Sequence, residues 1–133
     1  MGKDSDQEYA EVCFTIRHYS GLRFATRTLF LAISVGLAVV AFGIIPQQSL
    51  LVKTVAKAFG LLMTSFFWIA EKNAERYMGH LRERAAHLEE GLGYRLWSGM
   101  PALTHWSLSP AFMIPLVYAS VGLFWIWALI FVQ

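Results

Sequence analysis

The chain has one cysteine, Cys13, which excludes an internal disulfide framework and any cysteine-based metal cluster. Charge is also scarce: 15% of residues are Asp, Glu, Lys or Arg, against about a quarter in an ordinary soluble domain. The net charge of +2 is too small an excess to argue for a nucleic-acid partner. Catalytic signatures are missing too. No Ser–His–Asp set, glycine-rich phosphate loop or H-E-x-x-H sequence occurs, so no enzymatic chemistry and no cofactor are expected. The N-terminus, MGKDSDQEYAEV, is acidic and polar, unlike a cleavable secretory signal.

What fills the chain instead is apolar. Hydrophobic residues make up 56% of it, and the mean hydropathy is +0.48. Residues 28–52 form an uncharged run of 25, and residues 96–133 one of 38. Both exceed the roughly 20 residues that a helix needs to cross a bilayer core. The expected class is an all-α, multi-pass membrane protein with three spans, organised as a single domain over residues 1–133.

The first span is expected over residues 28–45, stopped by Pro46, with small residues Ala32, Gly36 and Gly43 that let helices approach closely in lipid. The second is expected over residues 53–70. Its wholly uncharged part, 58–70, is too short to span, so Lys57 must either snorkel to the interface or face something other than lipid. The third is expected over residues 112–132, with Pro115 in its first turn. Residues 93–111, which include YRLWSGMPALTHWSLSP, read as an interfacial loop anchored by Trp97 and Trp106.

Nine lysines and arginines lie in residues 1–27 and 71–111, and two, Lys53 and Lys57, on the opposite side. This bias predicts a cytoplasmic N-terminus and an outer C-terminus in a bacterial inner membrane. Residues 1–27 read as a cytoplasmic amphipathic helix, with Tyr9, Val12, Cys13, Ile16 and Tyr19 at helical spacing. Nothing strong breaks this helix from the first span, or the second span from the cytoplasmic helix 71–92. Two long helices, about 8–45 and 50–91, are therefore expected to extend the spans into a cytoplasmic helical bundle.

Along residues 74–92, Met78, Leu81, Ala85, Leu88 and Leu92 form an apolar seam. It would pack on the N-terminal helix, on copies of itself, or on both. The opposite face carries His80, Glu83, Arg84, His87 and Glu90. His80 and His87 are nearly 10 Å apart along the axis, too far to share one ion comfortably. A solvated face is the expected reading, and no metal is assigned. Arg82 and His87 fit the R-x4-H spacing of a ribonuclease motif, but without its flanking polar residue or partner helix.

A polar strip on the second helix is more informative. Lys53, Lys57, Gly60, Thr64, Glu71, Glu75 and Arg82 fall within about 60° of one another on a continuous helix. In an oligomer, Lys53, Lys57, Gly60, Thr64, Glu71 and Glu75 would line a central passage. Alternatively the lysines snorkel, and the Thr64 hydroxyl bonds back to the Gly60 carbonyl.

In its order of features the chain resembles the RipA-family octameric membrane proteins of bacteria. The matching stretches are SFFWIAEKNAERYMGHLRERAAHLEE and SLSPAFMIPLVYASVGLFWIWALI. A looser likeness is to the octameric membrane pore protein that accompanies a type VI CRISPR system. The resemblance implies a homo-oligomer, an octamer, with partners limited to lipid, its own copies and a cytoplasmic protein. The leading functional expectation for the chain is a channel or membrane-permeabilising effector in defence or prophage functions. The alternative is a membrane-anchored scaffold that recruits a cytoplasmic partner through its helical bundle.

Overall fold

The computed structural model describes residues 2–43, 49–98 and 110–132. They form three helices: α1, Gly2–Ala41; α2, Leu50–Leu92; and α3, Pro110–Phe131. No strand occurs among the described residues. All three helices are long and apolar enough to cross a membrane. The protein is an all-helical, multi-pass membrane protein.

The helix ends follow local chemistry rather than hydropathy. α1 stops at Ala41, although apolar residues continue, because Gly43 turns the backbone at φ +68 and its N–H donates three residues back, to the Val40 carbonyl at 3.2 Å. Pro46, the expected stop, lies outside the described residues. Ser49 caps α2: its hydroxyl accepts the Val52 N–H at 3.4 Å. Gly93, at φ +75, ends α2 by donating its N–H to the Glu89 carbonyl at 2.9 Å. α3 opens on Pro110, where a proline costs least, so Pro115 falls inside the helix rather than in its first turn.

The residues divide into two compact units. The first comprises the described parts of 1–25 and 71–104. Its core is Ile16 on α1 with Met78 and Ala85 on α2, flanked by Tyr9, Val12, Tyr19 and Leu81. Rings add to it, Tyr19 against Tyr77 at 4.9 Å and Tyr9 against Tyr94 at 5.5 Å.

The second unit comprises the described parts of 26–70 and 105–133. Each helix contributes one ring to a cluster: Phe30 meets Phe67 at 5.4 Å and Tyr118 at 4.8 Å. A second cluster joins Ala41, Ala56 and Ala128 to Trp125. Lipid is as apolar as these side chains, so this unit is held by close packing rather than by hydrophobic exclusion. Of the small residues expected on α1, Gly43 is crossed closely by the Lys53 side chain. Ala32 and Gly36 are exposed, with no heavy atom within 4 Å of a Cβ built on Gly36.

Candidate functional site

The polar strip of α2 is engaged inside the chain. Within the second unit it faces α3. Gly60 lies flat under the Trp125 ring, where an added Cβ would come within 2.5 Å of the indole. Four residues on, Thr64 is 2% exposed and approaches Gly122, its Cγ2 3.9 Å from where a Cβ would stand. Its hydroxyl donates to the Gly60 carbonyl at 2.8 Å, which satisfies it without water. Lys57 is 2% exposed, and its ammonium donates to the Val132 carbonyl at the end of α3. That places a cation where helix carbonyls are left open. The Lys53 chain passes over Gly43 at the end of α1.

The strip continues in the first unit with ion pairs. Glu71 is 4% exposed and accepts the Arg23 guanidinium, with the Nε donating at 3.0 Å. Glu75 pairs with Lys72 at 3.3 Å on the half-buried surface, and Arg82 is exposed. Lining a passage on a shared axis would require these groups to point out of the subunit. Lys57, Gly60, Thr64 and Glu71 instead point inward, because each has a neighbour on α3 or α1 that takes up its polarity or fills its space.

The seam on α2 also finds its partner within the chain. Met78 and Ala85 are fully buried against Ile16, with Leu81 beside them; Leu88 and Leu92 are half-buried. Trp97 joins this core as well, beside Ile16, Met78 and Ala85. Trp106 lies outside the described residues, as does the loop over 99–109.

The reason for the position of Trp97 is a residue that the pattern reading passed over. Glu89 is fully buried, and both carboxylate oxygens are filled. Its Oε1 accepts the Tyr9 hydroxyl at 2.9 Å and the N–H groups of Leu96 and Trp97 at 3.0 and 2.9 Å. Its Oε2 accepts the Trp97 N–H at 3.0 Å, and the Ser98 N–H and hydroxyl at 2.9 Å each. The turn at Gly93 brings residues 96–98 back over the helix end, and one carboxylate fastens them to α1. Burial alone would raise the Glu89 pKa, but the backbone N–H groups of Ser98 and Trp97, with the Tyr9 and Ser98 hydroxyls, hold it down at about 2. The Tyr9 phenol is raised well above the usual tyrosine range by burial, then by its bond to Glu89 and its contact with Cys13. A sequence signal was present: Glu89 extends the polar strip seven residues beyond Arg82 and borders the apolar seam.

The outer face of α2 is wet. His80 and Glu83 are 82% and 81% exposed and stand 3.8 Å apart. His87 is exposed, and Arg84 reaches across to Glu8 on α1 at 2.6 Å. Among the described residues, no three His, Cys, Asp or Glu side chains are grouped to hold a metal ion. Compared with known proteins, the chain matches no family model, no curated protein and no solved structure.

Proposed function

We propose that the protein is a membrane-anchored scaffold of the bacterial inner membrane, which self-associates and presents a helical hairpin to a cytoplasmic partner. One observation carries this reading over a channel: the polar groups of α2 that a passage would need are taken up inside the subunit. Lys57 serves the end of α3, Thr64 its own helix, and Glu71 serves Arg23. A conducting strip needs groups that water or ions can reach.

The excess of lysine and arginine in residues 1–27 and 71–111 supports a cytoplasmic N-terminus and hairpin, with the C-terminus outside. Self-association is supported by the exposed Ala32 and Gly36 on α1, a spacing that permits close helix approach in lipid. It is supported also by Phe14, 69% exposed in the first unit. The exposed side chains of Arg76, Arg82, His87 and Glu90 give the hairpin a polar surface suited to a soluble partner.

Reconstitution in ion-loaded vesicles tests the choice. The scaffold reading expects leakage equal to that of empty vesicles. Flux that changes sign preference with Lys57→Glu would restore the channel reading. Phosphatase fusions at Ser98 and Gln133 test the orientation, with activity expected only at Gln133.

A further inference from the structure

We propose that residues 94–98 are a strap exchanged between copies of this chain, the strap of one copy filling the Glu89 seat of its neighbour. The inference rests on the self-association in the scaffold reading and names a surface that carries it. The seat is Glu89 and Tyr9 with the core of Ile16, Met78 and Ala85. The strap brings the N–H groups of Leu96, Trp97 and Ser98, the Ser98 hydroxyl and the Trp97 ring.

The chemistry of the seat selects its occupant. Glu89 is fully buried, and the strap supplies every bond to it described above except that from Tyr9. A carboxylate buried in this way is costly to leave unmet. An unrelated peptide would have to present three successive N–H groups, a hydroxyl and an apolar ring in one turn. A second copy presents them by identity, and each bond broken in one subunit is made again in the next. Exchange is therefore close to neutral in bonding, and what it costs is the association itself. The Arg23 partner of Glu71, by contrast, is fixed within α1 and cannot be traded.

The link to the strap can move without disturbing a helix. Gly93 turns at φ +75, with no heavy atom within 4 Å of an added Cβ. Tyr94, Arg95 and Leu96 are exposed, and Tyr94 touches Tyr9 through its ring. From Leu92 to Leu96 the extended chain covers about 13 Å, more than the roughly 8–10 Å between axes of packed helices. Beyond Ser98, eleven residues precede α3 at Pro110. That is enough chain for a strap on a neighbour to leave α3 in its own subunit.

The test combines two full-length variants, co-expressed and purified as one assembly. Glu89→Ala keeps the strap and loses the seat. Trp97→Pro keeps the seat and removes from the strap both the ring and the N–H that bridges the two carboxylate oxygens. Hydrogen exchange is read on the strap peptides of the Glu89→Ala copies, which differ in mass from those of the other variant. Neither variant alone should protect amides 96–98. In the mixed assembly these amides should exchange about a hundredfold more slowly, the order expected of three amide hydrogen bonds. Mixed assemblies in native mass spectrometry without this recovery would overturn the exchange and leave self-association standing. A chain that stays monomeric there would overturn both. A second measurement keeps the clamp whole. Leu96→Cys in a Cys13→Ser background retains the strap N–H groups, since the Leu96 side chain is 59% exposed. Copies with and without nitrogen-15 are assembled together, each thiol carrying a photocrosslinker. Exchange expects adducts that join the strap of a light chain to α1 of a heavy one; adducts confined to single chains would overturn it.

Discussion

The two units solve one problem, how to hide a polar group on α2, in opposite ways. In the first unit a buried carboxylate is met by partners from elsewhere in the chain: Arg23 for Glu71, and Tyr9 with residues 96–98 for Glu89. In the second unit Thr64 is met by its own helix and Lys57 by the Val132 carbonyl at the end of α3, with no buried carboxylate pair among the described residues. The rest is packing of Gly60 under Trp125 and of three rings on one another. Water makes the difference. Beside an aqueous phase a charge can be brought in with its partners, and the exposed surroundings bear the rest. In hydrocarbon every polar group must be matched locally, and small residues with close contacts replace charge as the means of cohesion.

If that contrast is correct, the largest effect should come from the Glu89 clamp and stay in the first unit. Glu89→Ala leaves the N–H groups of Leu96, Trp97 and Ser98 without the acceptor that gathers them over the helix end. Hydrogen exchange should show protection lost at amides 96–98 and weakened around Ile16 and Met78. Protection around Thr64 should be unchanged. Loss of protection there as well would show that the two units are one cooperative body.

Acid should reproduce part of this effect without a mutation. The Glu89 pKa is lowered from 4.5 to about 2 in the folded chain, so the stability that it contributes is present above about 4.5 and lost as pH falls toward 2. Exchange at amides 96–98 should therefore rise between pH 5 and pH 2 beyond the intrinsic pH dependence of the chemistry. The Glu89→Gln variant should show no such step. A wild-type profile without the step would mean that the carboxylate is not the acceptor assigned here.

Trp125→Ala should be the matching lesion in the second unit. It removes the ring that covers Gly60 and joins Ala41, Ala56 and Ala128, at a cost of about 3–5 kcal/mol if the helices cannot close the gap. Thermal unfolding in detergent would read the loss. Arg23→Ala should come next, with a smaller loss, because it removes the Arg23 guanidinium from the buried Glu71 carboxylate. Replacing both members, Arg23→Met with Glu71→Leu, should recover most of that loss. Failure to recover it would mean that the pair does more than neutralise itself.

How much of this could be read from residues alone varies with the physics involved. Hydropathy was enough for three helices, because lipid demands long uncharged runs. It could not place the end of α1, since Gly43, Ile44 and Ile45 are as apolar as what precedes them and the turn at Gly43 decides. The helical wheel collected Lys57, Gly60, Thr64 and Glu71 on one side, as found, but a wheel says nothing of what that side meets. Whether Gly60 faces a lumen or Trp125 depends on contacts far apart in sequence. Glu89 could have been found, since an acid beside an apolar seam calls for a partner. Its partners, three N–H groups past a glycine turn, leave no trace in a pattern of side chains. The packing of Trp97 on that core was hidden for the same reason.

The smallest effect is expected at Thr64, and it bears most directly on function. The hydroxyl bonds to the carbonyl of Gly60, four residues back on its own helix, at 2.8 Å, and the residue is 2% exposed. Thr64→Val keeps the shape and removes a bond that adds little to a helix already formed, so the change in stability should stay within about 1 kcal/mol. Thr64→Leu adds bulk beside Gly122 and should cost more, about 1–3 kcal/mol, through overpacking against α3. A residue lining a passage would show the reverse order of consequences: either substitution would dry the lumen and alter flux, with little effect on assembly. Thr64→Cys in a Cys13→Ser background gives a direct reading. Packed against α3, the thiol should resist water-soluble and membrane-dissolved reagents alike until the helices are separated by denaturant. Rapid labelling by a charged, water-soluble reagent in intact vesicles would place position 64 in an aqueous path and overturn the inward-facing strip.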